Sequence, residues 1–408
     1  MTELENRTEK LLSDISRLID EVISLDEIRM LLNSGRKLTI KYGVDCTAPF
    51  LHLGHAVNLW AMRRFQEDGH KVIFLIGNFT SKIGDPTGRS AARKMLTDDE
   101  IATAANEFVK QVGAVLITDD PDVFEVRRNA EWFTEMPLAE FIGLCSQNTV
   151  SKMLSRDMFK KRMQNGDEIH LNELLYPILQ GYDSVMLKSD LTIVGTDQLF
   201  NEMMGRSYQE KFGQTPQVVM TTKITKGLWG EEKQSKSIGN FVALADSSRD
   251  KFGKIMTLSD DRIIDWMKIY TDIDLSEIAR LERAIKDQEM NPRDAKLRLA
   301  HAIVKRYHGQ DIADEELKFF LDTFSNKKFP NDAPEIKIKA DAIPSNIFEL
   351  ACLCLHDLSG SQIRRLITQG AVTLNDERIT TPQNPIALSK GTNYLKAGKR
   401  SFFKVDVQ

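Results

Sequence analysis

Apolar side chains in the first 33 residues recur near helical spacing, with Leu12, Ile15, Leu18, Ile19 and Val22 on one stripe. That spacing predicts an amphipathic helix over 11–32, ended by Ser34-Gly35. The pattern then changes period. Residues 38–44 (LTIKYGV) alternate as a strand does, and 71–76 (KVIFLI) is a short apolar run of the kind buried in parallel sheets. Between them a helix is expected over about 54–68, stopped by Gly69. The runs 114–117 and 191–194 are further buried-strand candidates, and Thr97-Asp98-Asp99-Glu100 is a capping box that opens a helix. Strands alternating with helices predict an α/β fold with a parallel sheet and right-handed crossovers.

From 244 onward the pattern is polar and helical, with Pro292 the only proline before the stretch 327–344. That stretch carries Pro330, Pro334 and Pro344 with several Lys and Asp, which is linker composition. A small unit follows over 345–408. In it Ser359-Gly360-Ser361-Gln362 caps a helix with the apolar face Ile363, Leu366 and Ile367, and Gly370 is placed to end it. Residues 371–374 and 378–380 read as strands about a turn at Asn375-Asp376. No internal repeat or low-complexity tract interrupts this order.

At 408 residues the chain is long enough for two or three domains, and 41% hydrophobic with 28% charged residues is ordinary globular composition. Lys plus Arg is 55 against 59 Asp plus Glu, a net charge of −4, which argues against a chain that coats nucleic acid non-specifically. The balance is uneven, however. Residues 345–408 hold eight basic and five acidic side chains, a net +3 on a body of −7, so any nucleic-acid contact is expected locally, at that end. Four cysteines make neither a disulfide framework nor a zinc pattern; buried free thiols in a reducing cytoplasm are expected. Residues 1–10 are polar and mixed in charge, unlike a secretory signal, and the longest apolar run, 72–76, is far short of a membrane span. A cytoplasmic protein with no membrane partner is the expectation.

The stretch Asp45-Cys46-Thr47-Ala48-Pro49-Phe50-Leu51-His52-Leu53-Gly54-His55 sits at the strand-to-helix junction, where unpaired amides and the helix dipole favour an anion. Gly54 lets a nucleotide approach the backbone, and His52 and His55 can bind phosphate more tightly as charge builds in a transition state. The plainer reading is two histidines that cap a helix. The second feature is Lys233-Gln234-Ser235-Lys236-Ser237, flanked by Gly227, Gly230 and Gly239, which suits a mobile clamp on a triphosphate; taken alone, such lysines are usually just solvated. In this order the two resemble the HIGH and KMSKS signatures of class I aminoacyl-tRNA synthetases.

Four segments narrow the resemblance to tyrosyl-tRNA synthetases: residues 42–55, Ile83-Gly84-Asp85-Pro86-Thr87-Gly88, Tyr176-Pro177-Ile178-Leu179-Gln180-Gly181-Tyr182-Asp183 and Gly195-Thr196-Asp197-Gln198. The resemblance implies that Asp85, Tyr176 and Gln180 hold the tyrosine ammonium, that Asp183 accepts the phenol hydroxyl, and that Gln198 contacts the tyrosine where it borders the adenylate. It places Gly43, Asp45, Gly54, Gly195, Asp197, Ser235 and Ser237 around ATP, and Thr47, His52, His55, Lys233 and Lys236 on the reacting phosphates. The residue chemistry agrees. Tyr176, Gln180 and Asp183 fall at i, i+4 and i+7, one helix face, and an ammonium wants a carboxylate with neutral oxygens. A buried acceptor for the phenol hydroxyl rejects phenylalanine by leaving a polar group unpaired, a rule whose standard example is this same family. A satisfied polar helix face is the plainer alternative. Three positions depart from the usual pattern: Lys41 stands where many members have a tyrosine, Cys46 where they have a proline, and Gln234 where the second signature has a methionine. On a strand Tyr42 points away from the Lys41 face and cannot simply replace that tyrosine.

The resemblance also implies the architecture: an N-terminal helical segment at 1–33, a Rossmann-like catalytic domain at 34–243 with an inserted dimerisation region at about 131–188, a helical anticodon-side domain at 244–326, the linker, and an S4-like RNA-binding domain at 345–408. Arg364 and Arg365 on its helix, with Lys399 and Arg400 in the tail, are its candidate RNA contacts. L-tyrosine, ATP with Mg²⁺ and tRNA(Tyr) are the implied substrates, with a homodimer and no protein-bound structural metal. Three rivals stay open. A synthetase-like paralogue would adenylate tyrosine or an analogue for a non-tRNA acceptor. An RNA-binding protein would keep the fold without its catalysis. A plain nucleotidyltransferase would share the His-x-Gly-His turn without needing the Tyr176–Gln180–Asp183 face.

Overall fold

The computed structural model describes residues 2–45, 51–86, 97–235, 238–325, 329, 333–339, 342–398 and 401–408. The chain divides into two compact units, Met1–Ala313 and Asp314–Gln408.

The first unit opens with α1 (Glu3–Ser16), β1 (Ile19–Ile23) and α2 (Leu25–Asn33). The continuous helix expected over 11–32 is therefore broken by a strand. Ile19, Val22 and Ile23 are β-branched and suit a pleated surface, and Ser24 starts a second helix through a capping box with Glu27. Over so short a stretch the apolar positions fit either period.

Next come β2 (Thr39–Val44), α3 (Leu53–Glu67), β3 (Lys71–Ile76), α4 (Asp98–Val112) and β4 (Phe124–Arg128). The expected bounds hold closely for β2, α3 and β3, Gly69 takes the left-handed conformation that ends α3, and Thr97 caps α4 with Glu100. Residues 114–117 are not a strand. Val115 and Leu116 are buried in a turn, and the side chain of Gln66 satisfies the backbone of Ile117 in place of a ladder. The strand is β4, whose Glu125, Arg127 and Arg128 hide it from a search for apolar runs.

An insertion of α5 (Ala130–Phe133), α6 (Leu138–Cys145), α7 (Val150–Leu154), α8 (Asp157–Asn165) and α9 (Leu171–Leu187) leads to β5 (Leu191–Gly195), α10 (Leu199–Lys211) and β6 (Val218–Thr222). The sheet order is β1-β6-β5-β2-β3-β4, parallel throughout except for the antiparallel edge strand β1. The chain winds outward from β2 to β4, then returns to the other side of β2. A crevice forms at such a reversal, beyond the carboxyl ends of the strands. β2 and β5 pair at Ile40↔Leu191 and Lys41↔Thr192, and their remaining residues run on to the crevice.

The helices α11 (Ser248–Ile255), α12 (Ile263–Tyr270), α13 (Leu275–Lys286) and α14 (Pro292–His308) complete the first unit. Pro292 sits in the first turn of α14, where its missing N–H costs nothing. α14 docks on α3: Trp60 Nε1 donates to the Tyr307 hydroxyl at 3.0 Å, and the Arg306 guanidinium stacks on Trp60 at 3.8 Å.

After α15 (Gln310–Phe320), the second unit holds β7 (Glu335–Ile338), α16 (Ile347–Cys354), α17 (Gly360–Thr368), β8 (Val372–Leu374), β9 (Glu377–Ile379), β10 (Gly391–Ala397) and β11 (Ser401–Val407). Its sheet runs β7-β11-β10-β8-β9. The core includes Ile347, Leu350, Ile363, Ile367, Val372, Leu395 and Val405, all at most 1% exposed. Ser359 and Gln362 form the expected capping box, and Asn375 and Asp376 take the positive φ of a tight hairpin turn. Cys145, Cys352 and Cys354 are free thiols, and burial pushes the Cys354 thiol up to about 12.

Candidate functional site

A cavity of about 420 Å³ opens at the crevice between β2 and β5. It gathers most of the residues singled out in the sequence: Gly43, Asp45, His52, Gly54, His55, Asp85, Tyr176, Gln180, Asp183, Gly195, Asp197, Gln198 and Lys233. Ser235 does not line it; its N–H donates to Asn240 Oδ1 at 2.9 Å. Thr47, Cys46, Lys236, Ser237, Lys399 and Arg400 lie outside the described residues. Arg364 and Arg365 are exposed side by side on α17 in the second unit, Arg364 stacked 4.2 Å over Phe348.

At one end of the cavity α3 begins. His52 is its N-cap, accepting from Gly54 N–H through Nδ1 at 3.1 Å, while His55 Nδ1 accepts from His52 N–H at 3.2 Å. The two histidines do cap the helix, as the plainer reading had it, and they line the cavity as well. The two roles are compatible. A neutral imidazole that accepts at Nδ1 carries its proton on Nε2, so capping fixes the tautomer and leaves each ring a donor at Nε2. Gly54 suits the cap, since a Cβ there would stand 2.9 Å from the His52 ring. Lining the same cavity, Lys233 pairs with Asp197 at 2.8 Å, with both side chains partly exposed. The two neighbours of Lys233 in the motif order the segment. Gln234 is buried and donates to the Tyr270 hydroxyl on α12 at 2.8 Å, which gives this departure from methionine a structural reason, and Ser235 is held by Asn240.

The other end is closed and acidic. α9 presents Tyr176, Gln180 and Asp183 on one face, as their spacing requires. The Tyr176 hydroxyl donates to Asp45 Oδ2 at 2.9 Å, and Asp45 also accepts from Thr80 Oγ1 at 2.8 Å. Burial, then the charges of Asp45, Asp85 and Asp183, push the Tyr176 phenol well above its ordinary range, so it stays a donor. Gln198 donates to Asp85 Oδ2 at 2.7 Å. Three carboxylates thus act on one buried tyrosine, the surroundings an ammonium needs.

Asp183 is 4% exposed and accepts from Trp132 Nε1 at 3.0 Å and Asn129 Nδ2 at 3.4 Å. Its carboxyl is raised to about 7: burial, with a smaller push from Glu202, outweighs the pull of Lys41, Trp132 and Asn129 in the other direction. Lys41 and Glu202 are each 2% exposed and pair at 2.8 Å inside the same cavity wall. Glu202 also accepts from Gln180 Nε2 at 2.8 Å and Gln217 Nε2 at 2.9 Å, and Asn201 donates to Gln180 Oε1 at 2.8 Å. This fixes which way the Gln180 amide faces. Sequence reasoning missed Glu202, Asn129, Trp132 and Thr80. None belongs to a motif it used, and their only signal is long-range: each meets Asp183, Gln180 or Asp45 across at least 22 positions. Among the described residues, no group of three or more His, Cys, Asp or Glu side chains is placed to hold a metal ion, and no helix is long and apolar enough to cross a membrane.

Comparison with known proteins agrees with this geometry. Residues 3–325 match the family described as tRNA synthetases class I (W and Y). The chain is 40% identical to a tyrosine–tRNA ligase of Moorella thermoacetica, covering 98% of this chain and 97% of that protein. It is 42% identical to one of Methylococcus capsulatus, covering 97% and 98%. Among solved structures, a C-terminally truncated mitochondrial tyrosyl-tRNA synthetase of Aspergillus nidulans superposes with a TM-score of 0.64 over 79% of this chain and 98% of that one. At 22% identity that likeness speaks to the fold. With a parallel α/β sheet, a capped histidine turn and an acidic pocket at the strand reversal, the chain belongs to the tyrosine–tRNA ligase family of class I tRNA synthetases.

Proposed function

We propose that this chain activates L-tyrosine with ATP and transfers the tyrosyl group to the 3′-terminal adenosine of tRNA(Tyr). The observation that carries this reading is the two-ended cavity. Carboxylates surround Tyr176 at one end, and the other is lined by the start of α3 with His52 and His55 and by Lys233. A zwitterionic amino acid and a triphosphate fit such a cavity in only one orientation. The ammonium sits with Asp85, Tyr176, Gln180 and Gln198, and the phenol hydroxyl donates to Asp183. The tyrosine carboxylate then attacks the α-phosphate of ATP in line; a P–O bond forms and the bond to the leaving pyrophosphate breaks. Positioning and charge stabilisation supply the rate, the imidazole Nε2–H groups and lysine ammonium meeting the negative charge that builds on the phosphates. A ribose hydroxyl of the tRNA next attacks the acyl carbonyl and releases AMP. Mg²⁺ belongs to the ATP substrate, held by phosphate oxygens and water.

Leu138, Ile142, Val150 and Leu171 in the 131–188 insertion are 57–72% exposed, apolar side chains that a second copy of the chain would cover. The basic 345–408 segment, with Arg364, Arg365, Lys399 and Arg400, suits the tRNA backbone, and the setting is cytoplasmic. Tyrosine-dependent pyrophosphate exchange followed by charging of tRNA(Tyr), with Asp183→Ala as control, tests the whole. Exchange driven by another amino acid would overturn the specificity, and exchange without charging would point to a non-tRNA acceptor. Sedimentation as a stable monomer would overturn the dimer.

A further inference from the structure

The buried Lys41–Glu202 pair is not explained by the reaction above. An ion pair with both side chains 2% exposed is a costly way to fill space, since desolvation of each charge costs several kcal/mol and an apolar pair of equal volume often serves stability better. This pair also lies in the wall of the cavity, beside the carboxylate assigned to the phenol hydroxyl. Lys41 is held in place by its neighbours: its ammonium meets Glu202 Oε2 at 2.8 Å and donates to Ser184 Oγ at 2.8 Å, and Ser184 is the residue next to Asp183 on α9.

We infer that Lys41 is a specificity-determining positioning residue: fixed by Glu202 and Ser184, its ammonium favours the charged form of Asp183, the acceptor for the phenol hydroxyl of the substrate. This rests on the assignment of Asp183 to the tyrosine pocket. Around Asp183 stand Lys41 from β2, Glu202 from α10, the neutral donors Asn129 and Trp132 from the β4–α5 segment, and, along α9, Tyr176, which feels Asp45, Asp85 and Asp183 together. Among the described residues, Lys41 is the cation whose charge acts on Asp183, and Glu202 opposes it. Without Lys41, two buried carboxylates would share a dry wall, and like charges so placed cannot both stay ionised. A protonated Asp183 would offer an O–H of its own. It would no longer be an acceptor alone, and the difference between a substrate with a hydroxyl and one without would shrink. Glu202 also aims the Gln180 amide, so one buried anion sets both the cation at the phenol end and the amide at the ammonium end.

The test uses full-length Lys41→Met, the double variant Lys41→Met/Glu202→Gln, and Asp183→Asn, assayed by pyrophosphate exchange with tyrosine and with phenylalanine between pH 6 and 9. The inference expects the acid limb of kcat/KM for tyrosine to move up in Lys41→Met by about one pH unit or more, a loss of roughly tenfold at neutral pH that alkaline pH recovers. The KM for ATP should stay within about twofold, and the preference for tyrosine over phenylalanine should fall with the same pH dependence. The double variant removes the opposing anion too, so its limb should lie between those of the wild type and the single variant, while its melting temperature rises above that of the single variant. If Lys41→Met does not fold, the double variant carries the measurement. A folded variant with an unmoved limb and an unchanged preference would overturn the inference, as would a double variant that restores stability and preference together, because the pair would then be structural only. If Asp183→Asn itself leaves tyrosine binding and preference unchanged, the pocket assignment fails instead.

Discussion

The two ends of the cavity are built on opposite terms. The end assigned to the amino acid is dry and already assembled: Asp183, Lys41 and Glu202 are each at most 4% exposed and tied to partners on β2, β4–α5, α9 and α10. The end assigned to the triphosphate is open, with the Lys233–Asp197 pair 55% and 35% exposed. The same kind of contact, an ammonium 2.8 Å from a carboxylate, occurs at both. Its energetic meaning differs because its dielectric surroundings differ. A closed end selects by refusing to leave polar groups unpaired. An open end can bind, react and release a highly charged ligand without paying for burial of its own charges beforehand.

The sharpest way to break this contrast is to strip one buried charge. Glu202→Ala leaves Lys41 unpaired in the wall and takes an acceptor from Gln180 and Gln217, so it should destabilise the fold by about 3–5 kcal/mol in urea unfolding. A loss under about 1 kcal/mol would show that the amino-acid end is not pre-assembled. Next in size is Lys233→Ala, which removes a charge that acts on the reacting phosphates. Pyrophosphate exchange at saturating tyrosine should drop roughly 100- to 1000-fold, with stability and the KM for tyrosine nearly unchanged.

Asp183→Asn sharpens the other side. Loss of a charged hydrogen-bond acceptor should cost about 1.5–3 kcal/mol in kcat/KM for tyrosine, roughly 10- to 160-fold, with little change in the KM for ATP. It also gives a pH test. The carboxyl sits at about 7 in the fold against an ordinary 3.8, so between those values the folded state holds a proton that the unfolded chain has released. The stability contributed by that proton is full below about pH 4 and gone above about pH 7. The empty wild-type protein should therefore lose stability relative to Asp183→Asn as pH rises from 5 to 8. A flat difference would remove Asp183 from the titration.

The contrast also explains which parts of the molecule were legible in the sequence. The open end is built from local segments: a strand, a histidine turn and a helix in one stretch, a glycine-flanked lysine loop in another. Local chemistry is what a sequence displays, and the same holds for the Thr97 and Ser359 capping boxes and for the apolar runs of β3 and β5. The face of α9 was legible too, because helical spacing alone puts Tyr176, Gln180 and Asp183 together. What completes the closed end was not. Glu202 reads as one more acid on a polar helix until the fold sets it against Lys41, 161 positions away. Lys41 itself stood out only as a departure from the usual residue. Strands were missed for a related reason. β1 hides in a helical period, β4 carries three charges, and β6 was passed over although its β-branched run VVMTT follows a proline.

The smallest expected effect is the one that holds the comparison to account. Asp197→Ala removes the partner of Lys233 just as Glu202→Ala removes that of Lys41, at the same separation of 2.8 Å. The exposed pair gains little over solvation by water, and two side chains lose rotamer freedom to make it. The loss should be under about 1 kcal/mol, and it should shrink further in roughly 1 M salt, where screening acts within about 3 Å. The buried pair should show almost no such salt dependence, because ions do not enter the wall around it. Unfolding curves of Glu202→Ala and Asp197→Ala at low and high salt therefore test the claim directly. If Asp197→Ala cost as much as Glu202→Ala and its cost survived high salt, the triphosphate end would be as rigidly pre-built as the amino-acid end, and selection could no longer be assigned to one end and turnover to the other.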